Sequence, residues 1–238
     1  NDIAAITSTP VIYDFRSMDV SKGGHGAPLV PAGDIHLFSD YSICLNLGGF
    51  SNLTFQQSNQ VIAYDICPVN NILNSLSLEF GYSYDKGGEL GKKGKINQPL
   101  LNNLDNIPFY KSRPPRSLGK EFMDKWFIPT IKKHDTNLQD TLHTCYEHIS
   151  SQIAFHLNTA PGKNVLVTGG GTYNKYLLDL IRLKANKEIH VPSNDIIKFK
   201  EALIFAFLGV LRANGIINCF SSVTGASEDS SAGVMVIP

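Results

Sequence analysis

The chain has no net charge, because 21 basic residues offset 21 acidic ones over 238 positions. That balance removes the electrostatic basis for nucleic acid or an anionic membrane as a partner and suits an enzyme acting on small molecules. Cysteine is sparse: Cys44, Cys67, Cys145 and Cys219 are widely scattered, three of them in apolar surroundings. Such spacing argues against a disulfide frame or a zinc site and reads as free core thiols of a reducing compartment. The sequence also lacks a signal peptide, an apolar run long enough to cross a bilayer, an internal repeat and a low-complexity tract, so the expected location is cytoplasmic. It opens on Asn1 without a methionine and runs almost at once into an expected strand, as an internal fragment or the second part of a divided protein would. What is present, 42% hydrophobic residues, suffices for one or two compact domains with a sizeable core.

The most informative stretch is DFRSMDVSKGGHGAPLVP, residues 14–31. It begins at the end of PVIYDF, residues 10–15, a short β-branched run that reads as a buried parallel strand. Asp19 stands four residues before Gly23, and Gly23, Gly24 and Gly26 allow backbone conformations and close ligand approach that a Cβ would block. A carboxylate beside such a loop at a strand end is placed for polar chemistry in a crevice. A surface turn in which Asp19 caps the next segment fits these residues equally well.

Downstream, the periodicity predicts a short helix over 32–38, strands over 41–47 and 53–55 separated by GGFSN, a strand over 61–64 ending at Asp65, and a helix over 71–80. Residues 81–115, rich in Gly, Asn, Pro and Lys, read as loop with a short helix near 98–104. Amphipathic helices are expected over 119–132 and 137–158, the second with Leu142, Tyr146, Ile149, Ile153 and Phe155 on its apolar side. A strand over 164–168, the GGG turn, a helix over 175–185, a strand over 188–191 and a helix over 197–213 complete the α/β alternation.

Two glycine segments have a physical logic for phosphate. At a hairpin tip, Gly48 and Gly49 free backbone N–H groups to face anionic oxygens, and Ser51 and Asn52 add side-chain donors. An unliganded Gly-Gly turn explains the same residues. In VLVTGGGTYN a strand, Gly169, Gly170, Gly171 and a helix N-terminus make a ready-made anion or nucleotide site, with Asn174 serving as helix cap or nucleotide contact.

These stretches occur in a fixed order: residues 14–31, LNLGGFSNLTF (45–55), YDICPVNNILN (64–74), YDKGGELGKKGKI (84–96), PPRSLGKEFMDKWF (114–127), VLVTGGGTYNKYLL (165–178), EALIFAFLGVLRANG (201–215) and SSVTGAS (221–227). Together they resemble the anhydro-N-acetylmuramic acid kinases, members of the actin-like ATPase and hexokinase superfamily. The resemblance implies a ribonuclease-H-like lobe, with a mixed sheet covered by helices on both faces, over 41–238, and the end of a first lobe, carrying the catalytic loop, over 1–40. It implies ATP with Mg²⁺ as cofactor, a sugar as the other small-molecule partner, and opening of the 1,6-anhydro ring by water with phosphorylation of O6. Asp19 would be the base, and Arg16, His25, Gly26, Asp65 and Asn70 would face the sugar. Gly48, Gly49, Ser51, Asn52, Gly169, Gly170, Gly171 and Asn174 would face ATP, and no resident metal ligands are expected.

Two departures stand out. The family's first phosphate hairpin has no counterpart here, so exposed apolar surface and self-association into a homo-oligomer are expected. The family's D-T-G-P-G-N reads Asp65, Ile66, Cys67, Pro68, Val69, Asn70, which stiffens that loop. Arg116 stands where the family block has a lysine, either as a carboxylate partner or as a structural arginine.

Overall fold

A computed structural model of the chain describes residues 2–114 and 116–238. The strands are β1 (Val11–Tyr13), β2 (Ile43–Leu47), β3 (Phe50–Gln57), β4 (Gln60–Pro68), β5 (Asn164–Thr168), β6 (Glu188–His190) and β7 (Val234–Val236). The α-helices are α1 (Asp2–Thr7), α2 (Ser17–Ser21), α3 (Val30–Leu37), α4 (Asn70–Glu79), α5 (Gln98–Asp105), α6 (Lys120–Phe122), α7 (Ile128–Lys132), α8 (Leu138–Thr159), α9 (Lys175–Lys184), α10 (Asn194–Ala213) and α11 (Ser221–Thr224). A π-helical turn, Met123–Phe127, joins α6 to α7 just before Pro129, whose ring and missing N–H disrupt regular i to i−4 bonding.

The residues fall into two compact units. The larger comprises 40–53 and 64–198. Sheet order is β4-β3-β2-β5-β6, with β2–β5 and β5–β6 parallel. The two-residue links 48–49 and 58–59 make β2–β3 and β3–β4 antiparallel hairpins. Ser58 and Asn59 both have positive φ, +51° and +63°, as a twist-matched primed turn requires. This mixed α/β sheet is the arrangement expected of a ribonuclease-H-like lobe. Leu142, Tyr146, Ile149 and Ile153 of α8 are fully buried, whereas Phe155, expected beside them, is 62% exposed. A step of two residues from Ile153 turns it about 200° around the helix and off the apolar stripe.

The smaller unit comprises 1–39, 54–63 and 199–238. Its core joins Leu29 and Ala32 to Ile204, Leu208 and Leu211 of α10, with Cys219 and Ala232. A buried ion pair, Lys200 Nζ to Asp34 Oδ1 at 2.6 Å, also links α10 to α3. The chain passes from one unit to the other near residue 40, and 54–63 and 199–238 group with the N-terminal residues. The reason is that the apolar stripe of α10 packs on Leu29 and Ala32.

Three local expectations are corrected here. The chain opens with helix α1 and not with a strand. Strand β1 is not an interior parallel strand: it pairs antiparallel with β7 in a two-stranded sheet, and Tyr13 is exposed. Asp65 lies inside β4, which runs on to Pro68, because Ile66 and Cys67 replace the family's loop-forming Thr-Gly and are themselves fully buried.

Candidate active site

In the smaller unit, Asp19 sits on α2 and is 1% exposed. Oδ1 accepts from Thr224 Oγ1 at 2.6 Å and from the Cys219 thiol at 3.2 Å. Oδ2 accepts from the Gly26 N–H at 2.8 Å. Burial pushes the carboxyl up, but the bonds from Thr224, Gly26 and Cys219 outweigh it, so Asp19 lies below its ordinary range and is ionised near neutral pH. Gly26 adopts φ +67°, a left-handed conformation suited to glycine, and this turns its N–H onto the carboxylate. Gly24 is required for a different reason: a Cβ there would overlap Asp19 Oδ2.

Arg16 Nη1 donates to the Gly26 carbonyl at 2.6 Å, bracing the same loop. The His25 N–H donates to the Thr224 carbonyl at 3.0 Å, and His25 itself is exposed. Of the residues expected around the sugar, Arg16, His25 and Gly26 therefore gather on the Asp19 loop. Thr224 and Cys219 were missed. Some 200 positions separate them from Asp19; the only signal for Thr224 was the block SSVTGAS, which carries no chemistry of its own, and Cys219 lies two residues before it.

In the larger unit, the two glycine segments meet. Gly169 has φ +88°, and a Cβ on it would lie 2.5 Å from Asn46 Oδ1 and 2.7 Å from the Leu47 carbonyl. A Cβ on Gly171 would lie 2.7 Å from Leu47 Cβ. Asn70 braces the first of these segments: its Nδ2 donates to the Leu47 carbonyl at 3.1 Å, and its N–H to the Gly48 carbonyl at 3.2 Å. Asn70, expected near the sugar, thus stands with the glycine turns in this unit. The Gly49 carbonyl accepts from the N–H groups of Val69 and Asn71, so the hairpin tip is braced by the start of α4.

Ser51 does not present its hydroxyl with Gly48 and Gly49. It is fully buried and donates to the Cys67 carbonyl at 3.1 Å, since alternate residues of a strand face opposite sides. Asn52 is half-buried in β3. Asn174 caps α9, its Oδ1 accepting from the Leu177 N–H at 3.1 Å. Its Nδ2 donates to Tyr146 Oη at 2.6 Å. Tyr146 in turn donates to Asp85 Oδ2 at 3.0 Å, and Asp85 accepts from the Leu90 and Gly91 N–H groups. Asp85 and Tyr146 were also missed. Their link to the GGG turn joins three sequence blocks that look independent.

Asp65 and Arg116 share the larger unit without forming a carboxylate–guanidinium pair. Asp65 Oδ2 accepts from the Leu118 N–H at 2.6 Å, and burial pushes its carboxyl up against the pull of that bond and of Arg116. Arg116 instead donates to the carbonyls of Asp65, Phe109 and Ser112 and to His156 Nε2. That is a structural role. All four cysteines are buried, and among the described residues none is in a disulfide. Among the described residues, no cluster of three or more His, Cys, Asp or Glu side chains is arranged to hold a metal, and no helix is long and apolar enough to cross a membrane.

A family model described as anhydro-N-acetylmuramic acid kinase matches residues 1–238. An anhydro-N-acetylmuramic acid kinase of Hydrogenovibrio crunogenus is 31% identical over 249 residues, covering 99% of this chain and 67% of that protein. Its counterpart in Pasteurella multocida is 35% identical over 248 residues, covering 99% and 66%, and that of Bacillus cereus is 34% identical over 260 residues, covering 99% and 67%. The chain therefore spans about two thirds of the length of these relatives. Among solved structures, a xylulose kinase from Rhodospirillum rubrum superposes with a TM-score of 0.48 at 10% identity, covering 88% of this chain and 45% of that one. An activator of 2-hydroxyisocaproyl-CoA dehydratase from Clostridium difficile, with bound ADPNP, gives 0.47 at 13% identity, covering 78% and 66%.

Proposed function

The chain belongs to the anhydro-N-acetylmuramic acid kinase family, and from that premise we propose that it phosphorylates 1,6-anhydro-N-acetylmuramic acid with ATP, in cytoplasmic recycling of cell-wall sugar. Water adds to C1, the C1–O6 bond breaks, and O6 takes the γ-phosphoryl group, leaving ADP and N-acetylmuramic acid 6-phosphate. Asp19 takes the proton from the attacking water. The single observation that carries this assignment is the set of three donors holding Asp19 ionised inside the glycine loop. An ionised carboxylate is a competent acceptor at neutral pH, and the sugar would lie along the loop near Arg16 and His25.

The cradle around Gly169 and Gly171, which a Cβ would fill, fits close passage of a nucleotide, with Gly48, Gly49 and Asn70 beside it. Mg²⁺ bound to the nucleotide neutralises charge on the phosphates. It is commonly held by phosphates and one or two carboxylates, and so needs no three-residue cluster.

The test is Asp19→Asn, assayed with Mg-ATP and the anhydro sugar by mass spectrometry of the sugar phosphate. Loss of a positioned base should cost about two to four orders of magnitude in turnover, with modest change in sugar affinity by calorimetry. Retained turnover would sink the assignment.

A second reading is a sugar-binding or regulatory homologue without turnover. It is favoured by the 1% exposure of Asp19 and by Cys67 and Val69, fully buried where the family has glycines. Sugar binding in calorimetry without product in the assay would select it, and a panel of sugars would separate both from a kinase of another substrate.

A further inference from the structure

We infer that Thr224 is a positioning residue for Asp19, its hydroxyl and the Cys219 thiol together occupying Oδ1 and leaving Oδ2 as the atom that accepts the proton. The inference rests on the reading of Asp19 as base. Each carboxylate oxygen offers two lone-pair sites. Oδ1 takes two donors, at 2.6 and 3.2 Å, whereas Oδ2 takes one, from the Gly26 N–H at 2.8 Å. The two donors on Oδ1 are unequal: a hydroxyl at 2.6 Å from an ionised oxygen is a strong charge-assisted bond, and a thiol is a weak donor.

Thr224 is itself fixed. It is 1% exposed on α11, and its hydroxyl oxygen lies 3.3 Å from the Phe220 carbonyl, too long to compete with Asp19. The Ala226 N–H approaches the same oxygen at 3.4 Å. The Thr224 carbonyl accepts the His25 N–H, and the Ser227 N–H donates to the Lys22 carbonyl at 3.0 Å. The segment after α11 therefore fastens the glycine loop along its length, while the side chain of Thr224 orients the carboxylate that the loop surrounds. The charged and titratable groups around this assembly are His25, Cys219, Arg16 on the Gly26 carbonyl, the Lys22–Glu228 pair at 2.7 Å, and Asp229, which acts on Cys219.

The experiment uses the full 238-residue chain with ¹³C-labelled aspartate, comparing the parent with Thr224→Val, Thr224→Ser and Cys219→Ala. In Thr224→Val the Asp19 carboxyl should titrate at higher pH, because the strongest donor to its charged form is gone. Thr224→Ser should titrate with the parent, and Cys219→Ala should move the same way as Thr224→Val by less. The acid limb of kcat should follow the carboxyl. At neutral pH, kcat of Thr224→Val should fall about ten- to a hundredfold with KM for the sugar within about twofold. An Asp19 titration unmoved in a folded Thr224→Val, or moved equally by Val and Ser, overturns the inference. Should Thr224→Val not fold, the Cys219→Ala titration decides: an upward move supports the inference and none refutes it. The carboxyl titration reads positioning without turnover, so failure of the kinase reading in Asp19→Asn shows separately.

Discussion

Arg116 and His156 show how two polar side chains are held inside the larger unit. Arg116 Nη2 lies 2.7 Å from His156 Nε2, and a guanidinium can only donate. Nε2 is therefore the acceptor and the ring proton sits on Nδ1, facing Tyr64 Oη at 3.1 Å. Burial, and then the charge of Arg116, pull His156 down from the ordinary 6.5 to about 4. Unfolded chain binds this proton near pH 6.5 and folded chain only near 4, so stability is whole above that window and declines as pH falls through it. His148, also lowered by burial against the opposing pull of Asp105, acts with the same sign. Urea midpoints should fall from pH 6.5 to pH 4, and His156→Gln should flatten that slope; an unchanged slope would show that His156 is not the group. Arg116→Lys restores the residue of the family block but replaces a planar fork with one ammonium. It should cost about 1 kcal/mol or more through carbonyls left without donors, read as a lower midpoint at constant m-value.

At the level of elements, the turn 169–174 is both the nucleotide cradle of the proposal and the start of α9. Asn174 serves the second role, accepting from the Leu177 N–H. Loss of that cap in Asn174→Ala should cost about 1 kcal/mol, and a further increment should follow because Tyr146 Oη loses a donor. Asn174→Asp keeps the cap while removing the donor to Tyr146, so it should fall between parent and Ala in thermal midpoint. Equal midpoints for Ala and Asp would mean that the Tyr146 bond, and not the cap, is what matters.

At the scale of the molecule, α10 has two apolar sides. Ile204, Leu208 and Leu211 are buried, while Phe199, Leu203 and Val210 are 61%, 43% and 57% exposed and share one helical face within about 40°. Such a stripe seeks cover. The 238-residue chain should therefore self-associate in sedimentation velocity, and Leu203→Glu should shift it toward monomer without lowering its thermal midpoint. A monomeric parent at micromolar concentration would remove the expectation. About a third of the length of these relatives lies outside the match, so phosphoryl transfer, which depends on positioning, should be faster when that part of a relative is supplied, fused or separate. Full turnover without it would show that one pair of glycine turns is enough.

Local pattern determined most of the elements. The strand over 164–168 and the helix over 137–158 lie within a residue of β5 and α8, because long periodic segments flanked by capping residues leave little choice of register. The grouping of Asp19 with a glycine loop was likewise written in a few consecutive residues. Tertiary structure alone decided what those residues touch. Helix α2 and strand β7 are too short to have a period, and β1 could not be assigned a partner until β7, more than 200 residues on, was in place. Cys219 reads as a core thiol and Thr224 has no reading of its own, and both become donors to Asp19 only through contacts some 200 positions distant in sequence. A carboxylate's partners are set by contacts distant in sequence, and a hydrogen bond of 2.6 Å leaves no trace in the spacing of residues 19 and 224.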